Sequence, residues 1–288
     1  QRPFRYIGLP GNGYSSSITF IIYGMITGES IGDLFLSGII PGLIFGFMLC
    51  IMVFIKSKKN GWKGETQRAS LKEIGRLFLD TIWGLLSPVI VLGGIYSGLF
   101  TPTEAAAVAV VYSLIVGIFI YKELRLAELK ETLFSTAKTT GMILLIIMNA
   151  GIFSWVLTQQ GIAASLTEMA LALTDNKYIM LVIINIVFLC AGCVMDNTSA
   201  LYILVPIIMP IAKALDINMI QLGVILVLNL SIGQVTPPVG PNLYVAADIG
   251  KVKFEEICRK MVPLLLMSLL ALLCITYIPA LSLCLIPS

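Results

Sequence analysis

An all-α polytopic membrane protein is the fold class this sequence predicts, and three observations predict it. Of its 288 residues 58% are hydrophobic and 12% charged, with a mean hydropathy of +0.96, where ordinary soluble domains carry about a quarter charged residues. Several apolar stretches approach or exceed the roughly 20 residues that a spanning helix needs. None shows the ten-residue alternation of an outer-membrane barrel.

The elements follow in order. Residues 1–17 are polar, glycine-rich and unpatterned, with no visible signal peptide. Half a span lies over 18–27 and a full span over 38–55. A basic loop (Lys56, Lys58, Lys59, Lys63, Arg68, Lys72, Arg76) leads to a span over 78–100, a short break at Thr101-Pro102-Thr103-Glu104, and a further span to Tyr121. A second basic loop (Lys122, Arg125, Lys130, Lys138) precedes a span over 140–157. A weakly polar connection, 158–178, separates it from paired apolar segments at 179–194 and 200–215. An interrupted span over 222–247, a third basic loop (Lys251, Lys253, Arg259, Lys260) and a last helix over 262–283 come next. Short cytoplasmic loops are the ones enriched in Lys and Arg. Counting crossings puts all three basic loops on one side, with the 101–104 turn and the 158–178 connection on the other.

Composition excludes several functions. A formal charge of +3 spread over short loops argues against nucleic acid as a partner. There is no histidine, the commonest general base and metal ligand. Cys190 and Cys193 have CxxC spacing but lie in an apolar run, where a thiol packs as a small hydrophobe. A membrane-embedded enzyme would need a clustered nucleophile and base that this sequence does not offer.

Two polar interruptions carry the chemistry. Gly233-Gln234-Val235-Thr236-Pro237-Pro238-Val239-Gly240-Pro241-Asn242 sits in the middle of the 222–247 span. Each proline removes a backbone donor and clashes with the preceding turn, so the helix breaks and carbonyls are released at membrane depth. Irregular backbone there persists only where it is buried in protein or lines a cavity. Broken helices of this kind build substrate and coupling-ion sites in secondary transporters, whereas a lone kink would only shape packing. The second interruption is Met195-Asp196-Asn197-Thr198-Ser199, between two legs of about 16 residues, or roughly 24 Å of helix against a hydrocarbon core of about 30 Å. A re-entrant hairpin with its tip inside the membrane is the reading this length favours over a tight interfacial turn. An aspartate at such a tip costs about 3 kcal/mol and usually faces a water-filled pathway. Small residues at four-residue spacing, Gly24, Gly28 and Gly32, then Gly38, Gly42 and Gly46, are read as helix packing positions.

Three stretches together resemble one family. They are Leu92 to Ala107 (LGGIYSGLFTPTEAAA), Gly233 to Tyr244, and Tyr23-Gly24 with Ser30-Ile31-Gly32-Asp33-Leu34-Phe35 and Gly38-Ile39-Ile40-Pro41-Gly42. They are similar, in matching order, to signatures of the large membrane (permease) subunit of tripartite ATP-independent periplasmic (TRAP) transporters, the dicarboxylate-transporter M-type. The resemblance implies an elevator-type fold of the ion-transporter superfamily, with a C-terminal repeat of re-entrant hairpin and broken helix, in the bacterial inner (cytoplasmic) membrane. It divides the chain into an unpatterned segment 1–17, a half-helix plus scaffold helices 18–158, a transport-domain hairpin and broken helix 159–250, and a cytoplasmic loop with the last helix 251–288.

The activity it implies is sodium-coupled import of an organic acid. The implied partners are a small four-helix membrane subunit, a periplasmic solute-binding protein, the lipid bilayer and a carboxylate. Selectivity among C4-dicarboxylates, sialic acid, sugar acids and keto acids is not readable here. No cofactor is implied beyond Na+ as coupling ion. Carried over residue by residue, the site comprises Gly192, Asp196, Asn197, Thr198, Ser199, Gly233, Thr236, Pro237, Pro238, Gly240 and Asn242. Sodium is expected at Thr198, Ser199, Thr236 and Gly233, with Asp196 either balancing charge or lying beyond the residues that touch the ion, and Gly192 and Gly233 letting two elements approach. Lys213 and Asp216 are candidates for a docking face. The family's first half, ending in a Pro-Pro-Ser-Ile-like break, has no counterpart, and Gly11-Asn12-Gly13-Tyr14-Ser15-Ser16-Ser17-Ile18 stands where that break is expected. Two other readings stay open: a carrier of the same superfamily working without a binding protein, and an inactive remnant lacking its N-terminal half.

Overall fold

The computed structural model describes residues 16–61, 70–122 and 124–286. The unpatterned segment through Ser15, most of the Gly11 to Ile18 stretch, and Lys63 and Arg68 of the first basic loop lie outside those residues. All regular structure among the described residues is helical: α1 (Ser16–Thr27), α2 (Ile31–Asn60), α3 (Leu71–Tyr96), α4 (Pro102–Ile115) continued by a π-helical turn (Val116–Ile120), α5 (Leu126–Gln159), α6 (Ile162–Leu173), α7 (Lys177–Val194), α8 (Asn197–Ala214), α9 (Met219–Gly233), α10 (Pro241–Gly250), α11 (Phe254–Tyr277) and α12 (Ala280–Leu283). Seven of these helices are long and apolar enough to cross a bilayer.

Helix starts are set by caps that lie outside the apolar runs. The side-chain oxygen of Asn176 accepts from the Tyr178 N–H, Asp196 from Ser199, and Asn218 from Ile220 and Gln221. A polar cap of this type satisfies donors that the helix itself leaves orphaned. α7, α8 and α9 therefore begin two or three residues before the apolar periodicity does.

Four expectations are corrected. The 158–178 connection contains α6, entered through Gly161 at φ +66°; its sequence IAASLTEMALAL has strong helix formers and no proline. Basic residues do not end helices here: Lys56, Lys58 and Lys59 ride the last turns of α2, Lys72 and Arg76 lie in α3, Lys130 and Lys138 in α5, and Arg259 and Lys260 in α11. Lysine and arginine are good helix formers, and cations suit a helix C-terminus. The last apolar run is divided, α11 ending at Tyr277 before the short α12. Of the spaced glycines, Gly24 and Gly38 are packed, since an added Cβ would meet Ile31 at 2.9 Å and the Phe20 ring at 3.0 Å. Gly28 instead supplies the φ +78° that ends α1, and Gly42 and Gly46 face open space.

The described residues divide into two compact units. The first comprises residues 16–54 and 147–286, and α9 is its centre, packed most extensively on α7 and also on α1, α8, α11 and α12. Leu222, Val224, Ile225, Leu226, Val227, Leu230 and Ile232 are all buried. A helix apolar all round is a core helix. Tyr23 of α1 seals one end, its ring against Gly223 and its hydroxyl donating to the Met219 carbonyl at 2.7 Å. Leu43, Phe47, Met148 and Trp155, by contrast, expose their side chains, as a lipid-facing surface requires.

The second unit, residues 55–146, is built on the antiparallel turn from α3 to α4. Gly94 lies under the Phe100 ring, and its carbonyl accepts from the Leu99 and Phe100 N–H groups at 3.1 Å. Gly98 takes φ +71°. Thr101 and Glu104 form a reciprocal capping box, with Pro102 at the first helical position. Beyond the π-turn, the Tyr121 hydroxyl donates to the Asp80 carbonyl (3.0 Å) and accepts from the Gly84 N–H (3.3 Å). It thus bridges two α3 backbone groups one helical turn apart.

Candidate functional site

The site lies in the first unit, where the end of α7, the start of α8 and the break after α9 meet. α7 and α9 touch backbone to backbone through glycine. A Cβ added at Gly233 would lie 2.7 Å from both Cα and C of Gly192, and one added at Gly192 would lie 3.2 Å from Gly233 Cα and the Leu230 carbonyl oxygen. Only hydrogen fits at Gly233, and at Gly192 a side chain would need the facing backbone to give by a few tenths of an ångström, which is why glycine suits both positions. The Gly240 N–H donates to the Cys193 carbonyl at 3.3 Å, fastening the far side of the break to the same helix end.

Between Gly233 and Pro241 the chain leaves helical geometry. The Pro237-Pro238 bond is cis, and Gly240 adopts φ +49°, where a side chain would meet the Thr236 carbonyl oxygen at 3.0 Å. Among the described residues, the carbonyls of Val235, Thr236, Pro237, Pro238 and Val239 accept from no backbone N–H. The Thr236 hydroxyl donates to the Ile232 carbonyl at 2.7 Å, so its oxygen lone pairs face outward from that bond. Carbonyl and hydroxyl oxygens are hard donors of the kind that hard cations take.

The hairpin tip is locally locked. Asp196 caps α8, its two oxygens accepting from the Ser199 N–H (3.1 Å) and the Ser199 hydroxyl (2.7 Å). Asn197 and Thr198 follow and are each only 2% exposed. Asn197 joins the break through Gln234: Gln234 Nε2 donates to Asn197 Oδ1 at 2.9 Å, and Gln234 Oε1 accepts from Asn242 Nδ2 at 3.0 Å. The Asn242 backbone N–H also donates to the Gln234 carbonyl at 3.2 Å. The structure therefore sets Gly192 against Gly233, ties Gly240 to Cys193 beside them and links Asn197 to Asn242 through Gln234, and it places Asp196, Thr198, Ser199, Thr236, Pro237 and Pro238 in the two loops they belong to.

Sequence reasoning missed Gln234, and it missed a buried amide network deeper in the same unit. Asn229 is fully buried, and its Nδ2 donates to both the carbonyl (2.9 Å) and Oδ1 (2.8 Å) of Asn185. Asn185 donates in turn to the Thr276 hydroxyl at 3.1 Å, and Gln221 Nε2 donates to the Thr276 carbonyl at 3.1 Å, capping the end of α11. The signal was available: single amides in otherwise apolar membrane segments are costly unless paired. Lys213 and Asp216 belong to the terminator of α8, where Asp216 takes φ +52° and the Ile217 N–H returns to the Ala212 carbonyl. Cys190 and Cys193 are free thiols, one exposed and one buried.

Seven candidate spans and an apolar periphery around a few buried polar clusters define a multi-pass α-helical membrane protein. The chain belongs to the DctM-component family of tripartite ATP-independent periplasmic transporters, whose family model matches residues 16–281. Membership places it in the bacterial inner membrane. It is 42% identical over 269 residues to the C4-dicarboxylate TRAP transporter large permease protein DctM of Pseudomonas aeruginosa, covering 93% of this chain and 63% of that protein. To the isethionate TRAP transporter permease protein DctMQ of Oleidesulfovibrio alaskensis it is 40% identical over 261 residues, 91% of this chain and 41% of the relative. The sialic acid TRAP transporter large permease protein SiaM of Vibrio cholerae is 36% identical over 267 residues, 93% of this chain and 62% of the relative. The chain thus spans roughly half the length of these relatives, and all three are named as transporter permeases, not enzymes.

Proposed function

We propose that this chain forms part of the permease subunit of a sodium-coupled importer of organic acids. One observation carries the reading: unpaired carbonyls and the Thr236 hydroxyl of a Pro-Pro break are held against a polar hairpin tip by a glycine crossing that admits no side chain. Sodium binds the freed carbonyls and the hydroxyl oxygens of Thr236, Thr198 and Ser199 at this junction, and the ordered junction then accepts a carboxylate. Asp196 offsets charge through its tie to Ser199. A re-entrant hairpin moving with the broken helix as a rigid elevator body is consistent with the extensive α7–α9 packing.

The relatives' substrates, C4-dicarboxylate, sialic acid and isethionate, are all organic acids, which supports an anionic cargo. A small membrane subunit and a periplasmic binding protein are the partners this family membership suggests. The test is sodium-dependent uptake by a full-length relative reconstituted with its partners. Thr236→Val and Pro237→Ala are expected to raise the sodium concentration giving half-maximal uptake. Unchanged uptake and unchanged sodium affinity in both variants would defeat the placement.

A further inference from the structure

We propose that Gln234 is a positioning residue that fixes two site asparagines in opposite orientations, so that one offers a donor to an anion and the other an acceptor to a cation. The inference rests on the reading that the hairpin tip and the break form one ion-coupled carboxylate site. A primary amide has one donor end and one acceptor end. A glutamine bridging two asparagines therefore cannot treat them alike. Gln234 Nε2 takes up Asn197 Oδ1 at 2.9 Å, and Gln234 Oε1 takes up Asn242 Nδ2 at 3.0 Å.

What remains is complementary. Asn197 Nδ2 donates to no partner among the described residues, and an N–H group suits a carboxylate oxygen. Asn242 Oδ1 accepts from none, and a carbonyl-type oxygen suits a hard cation. Gln234 is itself 9% exposed and Asn197 2%, so water competes little for the bond between them, while Asn242 at the other end is exposed. The second bond between Asn242 and Gln234, from backbone N–H to carbonyl at 3.2 Å, holds the start of α10 over Gln234 and preserves the chain's direction. Gln234 thereby coordinates two halves of the chemistry without contacting either ion.

The direction is readable in the full chain in lipid bilayers by solid-state NMR, with 15N and 13C labels on the glutamine and asparagine side chains. Short-range correlations from Gln234 Nε2 to Asn197 Cγ and from Asn242 Nδ2 to Gln234 Cδ are expected, and both vanish in Gln234→Leu while Gly192 and Gly233 stay in contact. Correlations from Gln234 Nε2 to Asn242 Cγ and from Asn197 Nδ2 to Gln234 Cδ would overturn the proposal. Titration with sodium chloride alone gives the functional arm. Asn242→Leu is expected to weaken sodium binding about tenfold or more, the loss of one bond to a charge, and Asn197→Leu by a clearly smaller factor. Equal losses, or the reverse order, would show that Gln234 serves packing only. Absence of sodium binding to the unaltered chain would instead sink the cation reading of the site, while the NMR arm still decides the amide orientation.

Discussion

Gly233→Ala is the sharpest perturbation this structure offers. The new methyl carbon would sit 2.7 Å from Gly192 Cα and C and 3.1 Å from the Cys193 nitrogen. Non-bonded carbons rest near 3.5–4.0 Å, so α7 and α9 must part by roughly 1 Å at the crossing. Both contacts are backbone, and no side chain can swing aside. Overpacking of this kind costs about 1–3 kcal/mol, and the Gly240 to Cys193 bond, already 3.3 Å, lies next to the displaced segment. Gly192→Ala, with its closest contact at 3.2 Å, is expected to cost less. Gly42→Ala, with nothing within 4 Å, is the control and gains up to about 1 kcal/mol from helix propensity. The assay is reversible unfolding in mixed micelles by titration with a denaturing detergent, followed by helicity, together with maleimide labelling of buried Cys193. A Gly233→Ala protein that unfolds where the unaltered chain does, and keeps Cys193 equally protected, would refute the crossing.

Two further changes test features away from the break. Asn229→Leu removes both bonds to Asn185 and should lower stability in the same assay by about 1–2 kcal/mol, near the upper end for polar pairs between membrane helices. Adding Asn185→Leu should cost less than its effect alone, because the bonds to Asn229 are already lost and only the bond to Thr276 goes with it; strict additivity would argue that the pair is not coupled. Thr101→Ala deletes the capping box of α4 and is expected to cost about 0.5–2 kcal/mol, with faster amide exchange confined to Thr103, Glu104 and Ala105. Unchanged exchange at those amides would show that the cap carries no weight.

Much of the fold was legible because lipid makes composition decisive: the apolar runs expected over 78–100, 140–157 and 179–194 each fall on an observed helix, although α5 starts fourteen residues before its run, at Leu126. Boundaries were less legible for a specific reason. Asn176, Asp196 and Asn218 are polar, so hydropathy excludes them and the first helical turn after them, although they are what starts each helix. α6 was hidden by Thr167 and Glu168, which interrupt hydropathy without weakening helix geometry. At the candidate site, glycine and proline announced the break in advance, since few other residues tolerate such backbone. Gln234 gave no such notice. Its importance comes from Asn197, 37 positions away, and Asn242, eight away, and no local pattern encodes that meeting. Asn185 and Asn229 are equally silent until the helices carrying them are packed.

The hydroxyl of Tyr121 inside the α3 ladder bears on which insertions and deletions the second unit can accept. α4 and the π-turn form one continuous run from Pro102 to Ile120, and the wider π geometry at Val116–Ile120 sets the angle at which Tyr121 leaves it. One residue of an α-helix turns the chain by roughly 100°. Deleting a single residue from that run would let the π-turn relax to α-helix and swing the phenol away from Asp80 and Gly84. The length of this helix is therefore tied to the Tyr121 contact, even though Val110, Val111, Ile115 and Phe119 along it expose their side chains.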